Sequence, residues 1–179
     1  MSKTIIGTLV GGLILFIWQF LSWGVLNLHA DEMMYTEHQE EILTLLNEKL
    51  DEGTYMLPMS PPGASQEVQQ QTMENNIGKP WASIAYHKSM SNNMGMNMIR
   101  SLIINCLAVF LLCWLLGKIP ELDMKTSILS TLAVGMIGYF INTYINSIWF
   151  ETSTIVTLMD TIVSWGIVGS WLGFWLNRN

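Results

Sequence analysis

Four stretches of this chain, residues 4–28, 98–117, 126–149 and 152–176, are long apolar runs almost free of ionisable side chains. About 30 Å of hydrocarbon takes about 20 residues of helix, so each run is long enough to cross a bilayer. Backbone polar groups in hydrocarbon must pair within their own segment, which makes each run a helix. Only 12% of the 179 residues are charged, against about 25% in soluble domains. Ten of the fourteen acids lie between Asp31 and Glu74, so the charge deficit belongs to the apolar runs. The expected fold is an all-α membrane bundle of four transmembrane helices, with a small α+β extracytoplasmic insert between the first and second. Residues 1–28 form the first span, 29–97 the insert, and 98–179 the remaining three spans.

A formal net charge of -6 excludes a nucleic-acid binder, which needs basic surface to neutralise phosphates. Two cysteines exclude a disulfide-built domain. The first apolar run exceeds the roughly 7 to 15 residues of a signal-peptide core and no small-residue cleavage pattern follows Leu28, so an uncleaved span is expected. Lys3, Lys118, Lys125 and Arg178 crowd the short segments on one side. Lys49, Lys79, Lys88 and Arg100 are spread over the long insert and its exit. The density of basic residues places both termini in the cytoplasm and the insert outside it. Trp23 and Trp149 then mark one interface, and Trp171 and Trp175 the other. Phe150 and Glu151 are the whole link between the last two spans, an antiparallel hairpin.

Within the insert, ten acids face three lysines. Thr36 and Gln39 have capping-box spacing, with Ile42, Leu45, Leu46 and Leu50 at helical spacing behind them and Gly53 where a C-terminal cap belongs. Thr54–Leu57 reads as a strand, residues 66–76 as a linker or a short surface helix, and 81–87 alternates as a second strand. The simplest arrangement pairs the strands and packs the helix on them. About 60 residues make a marginal core alone, so the insert is expected to lean on the membrane domain or a partner.

The order of a Gly-rich first span with Phe16, Ile17 and Trp18, an acidic helix, the segment from Gly53 through Tyr55 to Pro58, then Gly78 leading to Ala82, Ile84, Tyr86 and Met90 resembles a group of small bacterial integral membrane proteins of unknown function. The likeness covers the first two thirds of the chain. It implies a bacterial inner membrane and the same topology, and it carries over no catalytic residue.

Three features bear on chemistry. Asp160 is the acid set well inside a span, where a carboxylate is costly. Arg100, Asn142 and Asn146 are placed at comparable depth. The four form either a polar site for an ion, proton or small solute, or a set that satisfies Asp160 and sets helix register. Methionine is the second feature: nine of thirteen lie in or beside the insert. His87 with Met90, Met94, Met96 and Met98, and His29 with Met33, Met34 and His38, offer soft ligands suited to Cu(I), or flexible apolar filler. The third is small-residue spacing. Gly7 and Gly11 in the first span, and Gly166, Gly169 and Gly173 in the fourth, let helices approach closely, within the bundle or in docking onto a larger complex. Cys106 and Cys113 are too far apart along one helix for a disulfide. No hydrolase, P-loop, dinucleotide or zinc motif is present. The expected function is non-enzymatic and needs no cofactor: an accessory subunit, assembly factor or interaction module that contacts the bilayer and other membrane proteins or itself. The alternative is binding or transport of a small solute or copper.

Overall fold

The computed structural model describes residues 3–178. The chain divides into two units, one formed by residues up to Met34 together with those from Asn93 onward, the other by Tyr35–Asn92. The division falls inside the expected 29–97 boundaries. His29 and the turn after it are tied to the helical unit, and the second long helix already begins at Met94.

In the helical unit, α1 (Lys3–Phe20) continues through a π-helical turn (Leu21–Val25). Helix α4 spans Met94–Leu116 and α5 Met124–Gly138. A second π-helical segment, Tyr139–Tyr144, leads into α6 (Ile145–Phe150), and α7 runs Ile155–Leu176. Four of these stretches, Lys3–Val25, Met94–Leu116, Met124–Phe150 and Ile155–Leu176, are long and apolar enough to cross a membrane. The second starts four residues before its expected position. The link between the last two is longer than expected, because Glu151 adopts a left-handed backbone at φ 51 and α7 is not entered until after Thr154. Asp123 caps α5, its carboxylate accepting from Thr126 N at 2.6 Å. Those hydrogen bonds from Thr126 hold the Asp123 carboxyl below its ordinary pKa.

Helix α1 lies between α4 and α7, and α7 in turn packs on α5. Two glycines require close approach. A Cβ on Gly12 would lie 2.8 Å from Cys106 Cα, and one on Gly169 2.9 Å from Ile128 Cα. Ser127 Oγ also donates to Gly169 O across that second seam at 2.9 Å. Small residues substitute for a hydrophobic driving force, which helices lack when their surroundings are as apolar as they are. The core of Leu15, Val109, Leu112, Cys113, Leu116, Val168 and Leu172 fills the half of the bundle nearer the start of α1. At most 28% of the most apolar stretch of any span is buried, so leucine and isoleucine cover most of the outer surface.

The second unit contains α2 (Gln39–Lys49), β1 (Gly53–Leu57), α3 (Gln66–Asn76) and β2 (Ala82–Tyr86). The strands pair antiparallel from Gly53 with Tyr86 to Leu57 with Ala82. The capping box does not form: α2 starts at Gln39 behind His38, and Thr36 Oγ1 accepts from His38 N instead. Nor does Gly53 cap that helix, since the chain turns extended at Leu50 and Gly53 opens β1. Residues 66–76 are the surface helix, with Ser65 Oγ accepting from Val68 N. Tyr86 donates to Asn47 Oδ1 at 2.8 Å, joining β2 to α2. Lys88 and Asp51 pair at 2.9 Å, which lowers the pKa of the carboxyl and raises that of the amine.

Candidate functional site

Trp18 and Ser22 lie one turn apart near the end of the first span, on the side of α1 that faces α7. The π-helical turn carries Ser22 inward until it is fully buried, and its carbonyl accepts from Leu28 N while that of Leu21 accepts from Leu26 N. Beyond the turn the chain folds back through Ala30–Glu32, which places His29 over the start of α7. Asp160 stands five residues into α7, about 7.5 Å from its beginning.

These side chains converge on one carboxylate. Trp18 Nε1 donates to Asp160 Oδ1 at 2.9 Å, the Ser22 hydroxyl lies 2.9 and 2.8 Å from the two oxygens, and His29 Nε2 lies 2.9 Å from Oδ2. The other ring nitrogen of His29, Nδ1, lies 2.7 Å from Glu32 Oε2. The His29 ring is 5% exposed and stacks on Trp23, with centroids 3.8 Å apart and planes within 6°. A neutral imidazole donates through one nitrogen only, so two ionised carboxylates are both satisfied only by the imidazolium. The ring face of Trp23 favours the same charged form.

Burial is the largest single influence on His29 and pushes its pKa down. The hydrogen bonds and charges of Glu32 and Asp160 together outweigh it, and the pKa lies above its ordinary value. Protonation of His29 therefore favours the fold. Its contribution is complete below the ordinary histidine range and is lost as pH rises through the raised value. In detergent unfolding titrations, the stability gap between wild type and His29→Gln is expected to narrow as pH rises from that range. A gap that is constant or widens contradicts the arrangement.

The structure does not bring Asp160, Arg100, Asn142 and Asn146 together. Asp160 takes its partners from α1 and the turn beyond it. Arg100 lines a groove of about 420 Å³ with Gln19, Asn97, Ser101, Ile104 and Asn105. Asn142 donates to Gly138 O within its own helix at 3.2 Å, and Asn146 is exposed. The methionine run is also divided. His87 and Met90 line an open hollow of about 380 Å³ after β2 with Ser89 and Ser91. Met94, Met96 and Met98 occupy the first turns of α4, where Met96 points away from the other two by helical geometry. His29 is engaged by carboxylates, Met33 and Met34 are strongly exposed, and His38 lies between Glu37 and Glu41. No group of three or more His, Cys, Asp or Glu that could hold a metal ion occurs among the described residues.

The small-residue positions behave unequally. A Cβ would meet Leu172 at 3.2 Å from Gly7, Val109 at 2.7 Å from Gly11, and Met124 at 2.8 Å from Gly173, whereas from Gly166 its nearest neighbour is Leu132 at 3.9 Å. Three site residues have no place in the sequence-based polar set: Trp18, absorbed into an apolar run; Ser22, an ordinary residue of a span; and His29, grouped with methionines. The signal for the first two is their four-residue spacing, and for His29 its three-residue spacing to Glu32.

No protein-family model matches this chain, and neither a curated protein nor a solved structure is found to be similar to it.

Proposed function

We propose that the chain is a multi-pass protein of the bacterial inner membrane, with both termini cytoplasmic, that acts without catalysis as an accessory or interaction subunit of a membrane complex. The unit Tyr35–Asn92, on the extracytoplasmic side, is its docking surface. The observation that carries this reading is that Tyr86 is the one buried residue between Tyr35 and Asn92. Ile42 and Leu45, three apart on α2, are 44% and 56% exposed. A unit of this size that encloses so little of its apolar surface gains stability from a partner. Four helices with largely uncovered apolar surfaces support a bilayer location, and the density of basic residues supports the orientation.

The alternative, binding or transport of a solute or copper, has less support from the geometry. Both Asp160 oxygens already accept hydrogen bonds, and the methionines are split between two units. Purification from native membranes in mild detergent tests the docking reading. A stoichiometric partner is expected, released by the pair Ile42→Glu and Leu45→Glu while the spans remain intact. A lone monomer, or a partner indifferent to the pair, overturns it.

A further inference from the structure

We propose that the groove between α1 and α4 binds the phosphate of an anionic phospholipid from the leaflet on the side of Asp160. The proposal rests on the membrane reading. Gln19 and Asn105 face each other across the seam in a reciprocal amide pair: Asn105 Nδ2 donates to Gln19 Oε1 at 2.9 Å and Gln19 Nε2 to Asn105 Oδ1 at 3.3 Å. Ser101 Oγ also donates to Gln19 Oε1, at 3.2 Å. The carbonyl oxygens of this pair are thereby occupied. Each amide nitrogen keeps a second hydrogen, and Asn97 adds an amide of its own. Arg100 adds five more donors and a positive charge, with no carboxylate within ion-pair distance among the described residues. Such an excess of donors around one cation suits an anion with several acceptor oxygens, and the guanidinium fork matches a phosphate.

Depth selects the source of that phosphate. Arg100 lies six residues into α4, about 9 Å from its start, within the polar headgroup region and the top of the hydrocarbon. Below it, Ile104, Leu107 and Leu111 on α4 and Leu13 on α1 are exposed apolar side chains, along which acyl chains lie. A free phosphate has no use for that surface. A charged side chain at such a depth finds its partner in a headgroup, and basic pockets between spans recognise anionic lipids in this way.

The test uses the full chain. Resistance to alkaline extraction from membranes decides the membrane reading on its own, and release of the protein would overturn both readings. For membrane-retained protein, native mass spectrometry in mild detergent compares phosphatidylglycerol, phosphatidylcholine and inorganic phosphate. One saturable phosphatidylglycerol is expected, bound about tenfold or more tightly than phosphatidylcholine, the scale of a charge-assisted hydrogen bond. Arg100→Gln erases that preference and Arg100→Lys leaves part of it, while Lys118→Gln, at the other end of α4, preserves it. The headgroup site is overturned by an unchanged preference in Arg100→Gln, by equal binding of the two lipids, or by displacement of phosphatidylglycerol with inorganic phosphate.

Discussion

Asp160→Ala is expected to destabilise the folded chain by about 3 kcal/mol, the cost of removing one partner from a buried charged network. The loss is large because three donors depend on that one carboxylate: the Trp18 indole N–H, the Ser22 hydroxyl and the His29 ring. Each would be left without its acceptor in a setting where water is scarce, and a stranded buried donor costs more than the net worth of the bond it lost. Asp160→Asn keeps one carbonyl oxygen and loses the charge that faces His29, so a smaller loss is expected. Unfolding in mixed micelles measures both. Equal stability of wild type and Asp160→Ala would show that the carboxylate does not hold the turn to α7. The same variant should also free the 27–34 segment, seen as faster amide exchange at Leu28 and Glu32, whose N–H groups bond back to Ser22 and His29.

The second large effect falls on two glycines. Gly12→Ala and Gly169→Ala each place a methyl group within 3 Å of backbone on a neighbouring helix, and backbone cannot rotate away as a side chain can. Overpacking of this kind costs about 1–3 kcal/mol, and because it forces apart helices that have little other reason to associate, it should also broaden the unfolding transition. Gly166→Ala meets nothing nearer than Leu132 at 3.9 Å. It should be neutral, or should stabilise by up to about 1 kcal/mol through helix propensity. If all three variants behave alike, the helix seams are not where the structure places them.

Comparing these residues shows what a sequence can disclose. Spans are legible because hydropathy is local, and so is Asp160, because it breaks a local pattern. Its partners are not. Trp18 and Ser22 lie 142 and 138 residues away and are unremarkable in type for a span. The short link at Glu151 suggests that the third span supplies Asp160 with Asn142 and Asn146. Adjacency along the chain does not decide which side of α7 faces which neighbour, however, and Asp160 lies on the side turned to α1. The glycine pattern names the right helices, but the local separation of two helix axes, which distinguishes Gly166 from Gly169, is a tertiary quantity. In the insert, strand pairing follows from alternation, which is again local. The start of α2 fails because Thr36 finds a nearer donor in His38, and local side-chain hydrogen bonds compete with caps.

The wide turn at Leu21–Val25 also sets the phase of everything after it. A π-helical turn accommodates one residue more than an α-turn, and one residue corresponds to about 100° of rotation about the helix axis. Deleting a single residue from this segment would let α1 wind regularly to its end while its composition hardly changed. The chain beyond would leave the helix about a quarter-turn away from its present heading, carrying His29 and Glu32 past α7. The site thus depends on a counting irregularity as much as on its side chains, and related chains that retain Asp160 and His29 but differ by one residue between Phe20 and Asn27 should lack the network.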